Sequence, residues 1–277
     1  MIKENEKSIV VKNITKVNGE KSEECLDNVA VEEPLEISIS ALRASPPIAN
    51  KSISITMRTP GNDEDLATGF LFTEGIIVSA DQITTTKSES NSILFQLNDA
   101  EGLDLSKLER HFYTSSSCGV CGKASIEAIK TVCRLPPSPS EFQINKSLIL
   151  SLPSILMQQQ RIFNNTGGIH AAALFDLSGK LLALREDVGR HNALDKLIGH
   201  SLRQGQFPLG EHLLFLSGRA SFELIQKAAM AGIHFIMAVG APSSLAIEMA
   251  QEHNITLVGF VSNSRYNIYT GVQRIKI

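Results

Sequence analysis

The chain has 277 residues, a formal net charge of −3, and a composition that is 43% hydrophobic and 20% charged, close to the average for a globular protein. This charge balance excludes a generic nucleic-acid binder, and no segment approaches the roughly 18 apolar residues that a membrane span needs. The first residues lack the apolar core of a secretory signal, so we expect a cytoplasmic protein.

Residues 1–135 predict a smaller α+β domain. Apolar runs or alternation predict three strands: Leu35–Ile39, Ser52–Met57 and Ser92–Leu97. A turn then leads into a helix that Asn62 or Asp63 can cap. The acidic residues at its start, Asp63 to Asp65, suggest either a catalytic carboxylate cluster or a favourable interaction with the helix dipole, and the second explanation is the simpler one.

The proline-rich segment Leu135–Glu141 is the clearest linker, and a second domain is predicted over residues 141–277. Apolar strands are predicted at Ile169–Phe175, Leu181–Arg185, His212–Leu216, His234–Val239 and Ile255–Val261, the first two as a hairpin that follows the turn Asn164–Gly168. Helices are predicted at Ser147–Gln160, Arg190–Gln204, Phe222–Ala231 and Ser244–His253. The alternation is typical of an α/β fold whose mainly parallel sheet is covered on both faces.

Small residues and hydroxyls follow three of these strands. The segments are Ser217–Ser221, Gly240–Ser244 and Phe260–Arg265, and two of them carry an arginine, Arg219 and Arg265. Helix starts attract anions, and open α/β sheets bind ligands at the carboxyl ends of their strands. Ordinary turns would explain each segment alone, but the three together favour a phosphorylated ligand. Neither GxxxxGK[ST] nor GxGxxG is present, so the motifs support neither an NTPase nor a dehydrogenase.

Polar residues are also dense in two other places. His170 follows two glycines, and a helix start carries Asp187, Arg190, His191, Asn192 and Asp195. These residues indicate either the rim of a site or helix caps with surface ion pairs. The other histidines of this half, His200, His212, His234 and His253, follow no catalytic spacing, and we predict structural roles for them.

Cys118 and Cys121 lie in SSSCGVCGK, which leads into a predicted helix. A helix start lowers the pKa of a thiol, so a thiolate is available there. A tetrahedral zinc site usually needs a second cysteine pair, which Cys25 and Cys133 do not form, and a thioredoxin-like pair should follow a strand. Metal binding and redox chemistry stay open, but a thiolate that accepts and passes on a group fits best.

The sequence resembles the formate dehydrogenase accessory sulfurtransferases, the FdhD family. The match extends from about residue 30 to 271, nearly the whole chain. The segments that carry it are EEPLEI (Glu32–Ile37), TMRTPGNDEDLATGFLFTEGII (Thr56–Ile77), SSCGVCGK (Ser116–Lys123), TGGIHAAALF (Thr166–Phe175), REDVGRHNALDKLIG (Arg185–Gly199), SGRAS (Ser217–Ser221) and GAPSS (Gly240–Ser244).

The resemblance implies a cytoplasmic homodimer that takes persulfide sulfur from a cysteine desulfurase. The sulfur goes to the molybdenum cofactor Mo-bis(molybdopterin guanine dinucleotide), which a formate dehydrogenase then receives. Cys118 would carry the persulfide, with Cys121 as its partner. The cofactor, with its GDP or GMP moiety, would be bound by a set of residues from the three strand-end segments: Ser217, Gly218, Arg219, Ser243, Ser244, Phe260, Val261, Ser262, Asn263, Ser264 and Arg265.

The family's second domain is similar to cytidine deaminases, which hold zinc with H-x-E and P-C-x-x-C. Here Ala171 and Ala172 follow His170, and SGRAS replaces the cysteine pair, so we expect a deaminase-like three-layer domain without zinc. Two alternative functions remain: a carrier that only shields the cofactor, and a thiol–disulfide oxidoreductase.

Overall fold

The computed structural model describes residues 8–41, 47–98 and 142–277. Cys118, Cys121, Cys133 and the predicted linker Leu135–Glu141 lie outside these residues. None of the helices in the described part is long and apolar enough to cross a membrane.

The first described part contains a two-stranded ribbon, a four-stranded sheet and one helix. Its elements are β1 (Ile9–Asn18), β2 (Lys21–Ala30), β3 (Glu33–Ala41), β4 (Ile48–Arg58), α1 (Asp63–Thr73), β5 (Ile83–Glu89) and β6 (Ser92–Leu97), with a 3-10 turn at Ala80–Gln82. β1 pairs only with β2, and the four-stranded sheet has the order β4-β3-β6-β5. The three strands predicted in this part are confirmed as the cores of β3, β4 and β6.

The second part is built on a six-stranded sheet with helices on both faces. Its elements are β7 (Ile144–Asn145), α2 (Lys146–Gln159), α3 (Arg161–Thr166), β8 (His170–Asp176), β9 (Leu181–Asp187), α4 (Arg190–Arg203), β10 (His212–Leu216), α5 (Phe222–Met230), β11 (Phe235–Ala238), α6 (Ser244–Glu252), β12 (Thr256–Gly259), β13 (Asn267–Thr270) and β14 (Ile275–Lys276), with a 3-10 turn at Val272–Arg274.

The sheet is mixed, which corrects the prediction of a mainly parallel one. Its order is β13-β12-β11-β10-β8-β9, and only β10, β11 and β12 run parallel to one another. The other three pairings are antiparallel. A parallel pair needs a crossover such as a helix, whereas a turn joins β8 to β9 and a short loop joins β12 to β13, so both pairs must be antiparallel.

Two predictions of local structure, a turn and a helix cap, differ from the structure. The predicted turn at Asn164–Gly168 begins inside the short helix α3, which ends at Thr166 and is followed by Gly167 in the left-handed conformation. Asn62 precedes α1, but its side chain makes no capping hydrogen bond. The acidic residues that follow it are paired with arginines: Asp63 with Arg58, and Asp65 with Arg185 and Arg203.

Two clusters of buried apolar side chains cover the two faces of the six-stranded sheet. β10 shows why its residues are all apolar: Leu214 and Leu216 belong to one cluster, and Leu213 and Phe215 to the other. α2 packs on the second face, while α4, α5 and α6 pack on the first. The first cluster also includes α1 and the four-stranded sheet, so both parts share one core. The division into domains at residues 135–141 stays a prediction.

Candidate functional site

The three strand-end segments meet at one edge of the sheet because β10, β11 and β12 are parallel. Backbone hydrogen bonds continue between the segments beyond the strands. The N–H of Gly240 donates to the carbonyl of Gly218 (2.9 Å), the N–H of Ala220 donates to Ala241 (3.2 Å), and the N–H of Phe260 donates to Gly240 (3.2 Å). The segments therefore form an ordered edge rather than three separate loops.

The backbones at this edge approach closely. A Cβ atom on Gly240 would lie 3.0 Å from the backbone of Arg219, which leaves no room for a side chain. Phe260 adopts a left-handed conformation (φ 53°), which is uncommon for a large residue, and its side chain is 40% exposed. Strained residues of this kind cluster at functional sites.

A cleft of about 560 Å³ opens beside this edge. Four of the predicted site residues line it: Ser217, Val261, Ser262 and Asn263. Its other walls come from α2, α3, the start of β8 and the residues that follow β9 and β11. These wall residues are Pro153, Ser154, Leu156, Met157, Gln160, Phe163, Gly167, Gly168, Ile169, His170, Val188 and Val239. The lining is mainly apolar with a few polar groups, as in small-molecule sites.

The other residues that were predicted to bind the cofactor do not line the cleft. They are Gly218, Arg219, Ser243, Ser244, Phe260, Ser264 and Arg265. The hydroxyl of Ser243 accepts a hydrogen bond from the N–H of Ala246 and so caps α6. The side chains of Arg219 and Arg265 are exposed on the same sheet edge. Any contact that the two arginines make with a ligand must therefore be to a part that extends out of the cleft.

His170 begins β8 and supplies the only ionisable side chain among the described residues that line the cleft. Burial lowers its pKa, and the positive charges of Arg190 and His191 lower it further, although Asp187 acts in the opposite direction. The ring is therefore neutral near pH 7, when one nitrogen donates a hydrogen bond and the other accepts one.

Asp187 fixes the start of α4 beside His170. This carboxylate is fully buried, and it accepts hydrogen bonds from the N–H groups of Thr59 (3.1 Å) and Gly189 (2.8 Å) and from Asn192 (3.0 Å), and pairs with Lys196 (2.7 Å). These contacts join β9, α4 and the end of β4. The polar residues around Asp187 therefore have a partly structural role. This agrees with their interpretation as helix caps and ion pairs.

Two basic side chains, Arg190 and His191, begin α4 next to His170. Nε2 of His191 lies 2.9 Å from a carboxylate oxygen of Glu223 and 3.4 Å from the hydroxyl of Ser221, which ties α4 to the start of α5. Nε of Arg190 is buried and has no hydrogen-bond acceptor among the described residues. A buried guanidinium nitrogen without a partner is costly, so this position suits an anionic group.

Sequence reasoning missed the wall that α2 and α3 form. Met157 and Phe163 belong to this wall. Met157 is an apolar residue of α2 that lies beside the buried stripe of this helix and is 62% exposed, and this exposure is the only sign of the wall. α3 is held by Glu186, whose carboxylate accepts hydrogen bonds from the N–H groups of Ile162 and Phe163 (both 2.9 Å). Burial raises the pKa of Glu186.

Cys118 and Cys121 lie outside the described residues, so their position relative to the cleft is not part of this geometry. Residues 8–41, 47–98 and 142–277 contain no group of three or more His, Cys, Asp or Glu side chains that could hold a metal ion.

Comparison with known proteins adds a family and a fold. The model of the FdhD/NarQ family matches residues 30–276. A sulfur carrier protein FdhD from Streptomyces avermitilis is 45% identical over 263 residues, covering 91% of this chain and 90% of the relative. The protein of the same name from Picrophilus torridus is 46% identical over 253 residues, covering 90% of this chain and 92% of the relative.

A solved structure shows the same fold. The crystal structure of a protein assigned as a formate dehydrogenase accessory protein from Desulfotalea psychrophila superposes with a TM-score of 0.73 at 22% identity. The superposition covers 97% of this chain and 99% of that one.

Proposed function

Since the chain belongs to the FdhD/NarQ family, we propose that it is a sulfurtransferase that carries persulfide sulfur from a cysteine desulfurase to Mo-bis(molybdopterin guanine dinucleotide), the cofactor that a formate dehydrogenase needs. The observation that carries the proposal is the match of about 45% identity, over nine-tenths of the chain, to proteins named sulfur carrier protein FdhD. Action in the cytoplasm and as a homodimer belongs to the same proposal.

The cleft supports binding of part of this large substrate. Its volume of about 560 Å³ is in the range of sites for drug-sized ligands, so it fits one nucleotide or pterin portion rather than the whole molecule. His170 and Ser217 offer hydrogen bonds to a heterocycle, and the unpartnered Nε of Arg190 fits an anionic group nearby. The exposed Arg219 and Arg265 would contact phosphates outside the cleft.

The sulfur chemistry is proposed for Cys118. Its thiolate would attack the terminal sulfur of the desulfurase persulfide. A new S–S bond forms, the old one breaks, and the desulfurase thiolate leaves, so that Cys118 holds the persulfide. Cys121 could then attack the inner sulfur of Cys118 and release sulfide, leaving a disulfide that an external thiol must reduce. This sequence of steps gives both cysteines a role.

Labelled sulfur tests the proposal. The protein is incubated with a cysteine desulfurase and ³⁵S-cysteine, and the label is mapped by mass spectrometry. Cys118→Ala should lose the label and still bind GDP, whereas Cys25→Ala, a control in β2, should keep both properties. Labelling of Cys118→Ala at the wild-type level would contradict the assignment.

The same variants separate the alternative functions. A carrier that only shields the cofactor predicts that Cys118→Ala and Cys121→Ala both still activate formate dehydrogenase. A thiol–disulfide oxidoreductase predicts reduction of insulin and no bound pterin. We also propose that the second part is a deaminase-like domain without zinc, because the buried Ala171 and Ala172 follow His170 and supply no acid.

A further inference from the structure

Arg190, the first residue of α4, is a half-buried arginine whose charge has no carboxylate partner among the residues that the structure describes. Its Nε atom is buried and has no hydrogen-bond acceptor there. Two other arginines show the usual arrangement: Arg58 and Arg185 each form an ion pair of 2.9 Å, with Asp63 and Asp65. A guanidinium is always charged, and burying one of its donors without an acceptor costs free energy. The side chain of Arg190 therefore suits an anionic ligand.

The acidic residues around the start of α4 are already paired with other basic groups. Asp187 lies 2.7 Å from Nζ of Lys196. Glu223 lies 2.9 Å from Nε2 of His191. Each of the two carboxylates has a partner of its own, so neither balances the charge of Arg190.

His170 connects Arg190 with the cleft. Its imidazole lines the cleft, and the charge of Arg190 is close enough to lower the pKa of this ring. Nδ1 of His170 would lie 3.3 Å from a Cβ atom on Gly218, so the ring packs against the first strand-end segment. The hydroxyl of Ser217 accepts a hydrogen bond from the N–H of Ala171 (2.7 Å), which fixes this segment to β8. Arg190 is therefore beside a rigid part of the cleft wall.

We propose that Arg190 binds a phosphate group of a nucleotide whose heterocycle occupies the cleft, and that it thereby selects phosphorylated ligands over unphosphorylated ones. The inference rests on the nucleotide-containing substrate of the proposed function and not on the sulfur chemistry. Arginine fits phosphate because its planar fork of N–H donors can contact two oxygens at once. The start of α4 adds a partial positive charge on the same side.

Arg190 should matter more for phosphate binding than the exposed Arg219 and Arg265. Two charges about 4 Å apart attract each other roughly four times more strongly in a partly buried site than in water. Salt also screens exposed charges more than buried ones. Losses caused by changing Arg219 or Arg265 should therefore be smaller and mostly disappear in about 0.5 M NaCl, whereas the loss caused by changing Arg190 should persist.

Calorimetric titration with GDP, guanosine and inorganic phosphate tests the inference. In Arg190→Met the dissociation constant for GDP should rise about tenfold to a hundredfold, as expected for lost hydrogen bonds to a charged group, and that for guanosine should stay within about twofold. Arg190→Lys keeps the charge without the fork and should have an intermediate affinity for GDP. Lys87→Met, at an exposed position of β5, is the control and should bind both ligands like the wild type.

Two further measurements distinguish ligand binding from a structural role. Without ligand, Arg190→Met should be at least as stable in urea as the wild type, because its Nε has no acceptor to lose among the described residues. In the wild type, GDP should raise the pKa of His170, measured by NMR, because a phosphate offsets the charge of Arg190 that lowers it. His191 and Asp187 also act on this ring, and both are present in the wild type and in the variant.

Three results would overturn the role of Arg190 and leave the proposed function intact: an unchanged affinity of Arg190→Met for GDP, an equal loss for GDP and guanosine, or a clearly less stable variant. Inorganic phosphate that raises the pKa of His170 while Arg190→Met binds GDP normally would identify a site for free oxyanions and would also contradict the inference. A wild type that binds neither GDP nor guanosine would overturn the nucleotide binding of the proposed function as well. Sulfur labelling of Cys118 decides the sulfur chemistry separately.

Discussion

Lys227 and Asp195 show how single charges are kept in the interior. Nζ of Lys227 lies 2.9 Å from Oδ2 of Asp195 and donates a hydrogen bond to the hydroxyl of Thr73 (2.8 Å). Burial alone would lower the pKa of Lys227, but the charges of Asp195 and Glu74 outweigh this effect and raise the pKa. Lys227 is therefore cationic in the folded protein, and it connects α1, α4 and α5.

Replacing Lys227 by an uncharged residue should strongly destabilise the folded protein. In Lys227→Met the carboxylate of Asp195 stays buried without its ion-pair partner, and such losses typically cost about 3–5 kcal/mol in the free energy of unfolding. Urea denaturation followed by circular dichroism measures the change. Lys87→Met is the matched control, because Lys87 is 75% exposed and should change stability by less than about 0.5 kcal/mol. Equal losses in both variants would contradict the role of the buried pair.

At the scale of elements, α1 and α4 are held together by glycine. Gly69 of α1 and Gly199 of α4 face each other where the helices cross, and a Cβ atom on either would collide with a backbone carbonyl of the other helix, that of Asp195 or Asp65. Helices can approach this closely only without side chains at the crossing. The contact joins the two described parts of the chain.

Gly199→Ala should therefore be strongly destabilising. The backbone of α1 cannot change rotamer as a side chain can, so the two helices must separate to make room for the added Cβ atom. We expect a loss of about 3 kcal/mol or more in the free energy of unfolding, at or beyond the upper end for overpacked sites. Chemical denaturation measures this. Gly168→Ala, where the nearest atom would be 3.9 Å away, should stay within about 0.5 kcal/mol of the wild type. A mild effect of Gly199→Ala would show that the helices can move apart.

The elements were predictable to very different degrees. β10 covers the predicted residues, His212–Leu216, because a strand buried on both faces is apolar throughout. The ribbon escaped prediction because charged residues occupy alternate positions on one of its faces and most residues of both faces are exposed, so neither strand has an apolar run. The crossing of α1 and α4 was also beyond sequence reasoning, since nothing in the order of residues shows that Gly69 faces Gly199.

For the whole molecule, three histidines that are partly or fully buried contribute to the dependence of stability on pH. The pKa values of His170, His200 and His234 are all lowered from 6.5, in each case first by burial. Below that pH the unfolded chain binds protons that the folded chain does not. The contribution of these residues to stability is therefore present above about pH 6.5 and is lost as the pH falls toward the folded pKa values.

We expect the free energy of unfolding to decrease between about pH 7.5 and about pH 5.5. Urea denaturation at several pH values measures this dependence. His234→Gln should reduce the slope, because His234 is buried and a glutamine in its place cannot titrate. Glu186, whose pKa is raised, acts in the opposite direction and limits the effect. A stability that is constant or increases on acidification would contradict the expectation.

The sequence predicted only those residues of the candidate site that follow the parallel strands of the sheet. Ser217, Ser262 and Asn263 were found because the residues after parallel strands lie at one edge of a sheet. The wall made by α2 and α3 depends on how two helices fold over that edge, which is a tertiary property. The part played by Arg219 and Arg265 was predicted from residue type, which cannot show that both are exposed.

The hydrogen bonds between the three strand-end segments have a consequence for kinetics. These segments already hold one another in place, so a ligand meets an edge that is formed before binding. Little additional ordering of loops is then needed, and binding loses correspondingly less conformational entropy. Association at this edge should be set by diffusion and orientation of the ligand rather than by a slow loop closure, and the observed rate should increase linearly with ligand concentration.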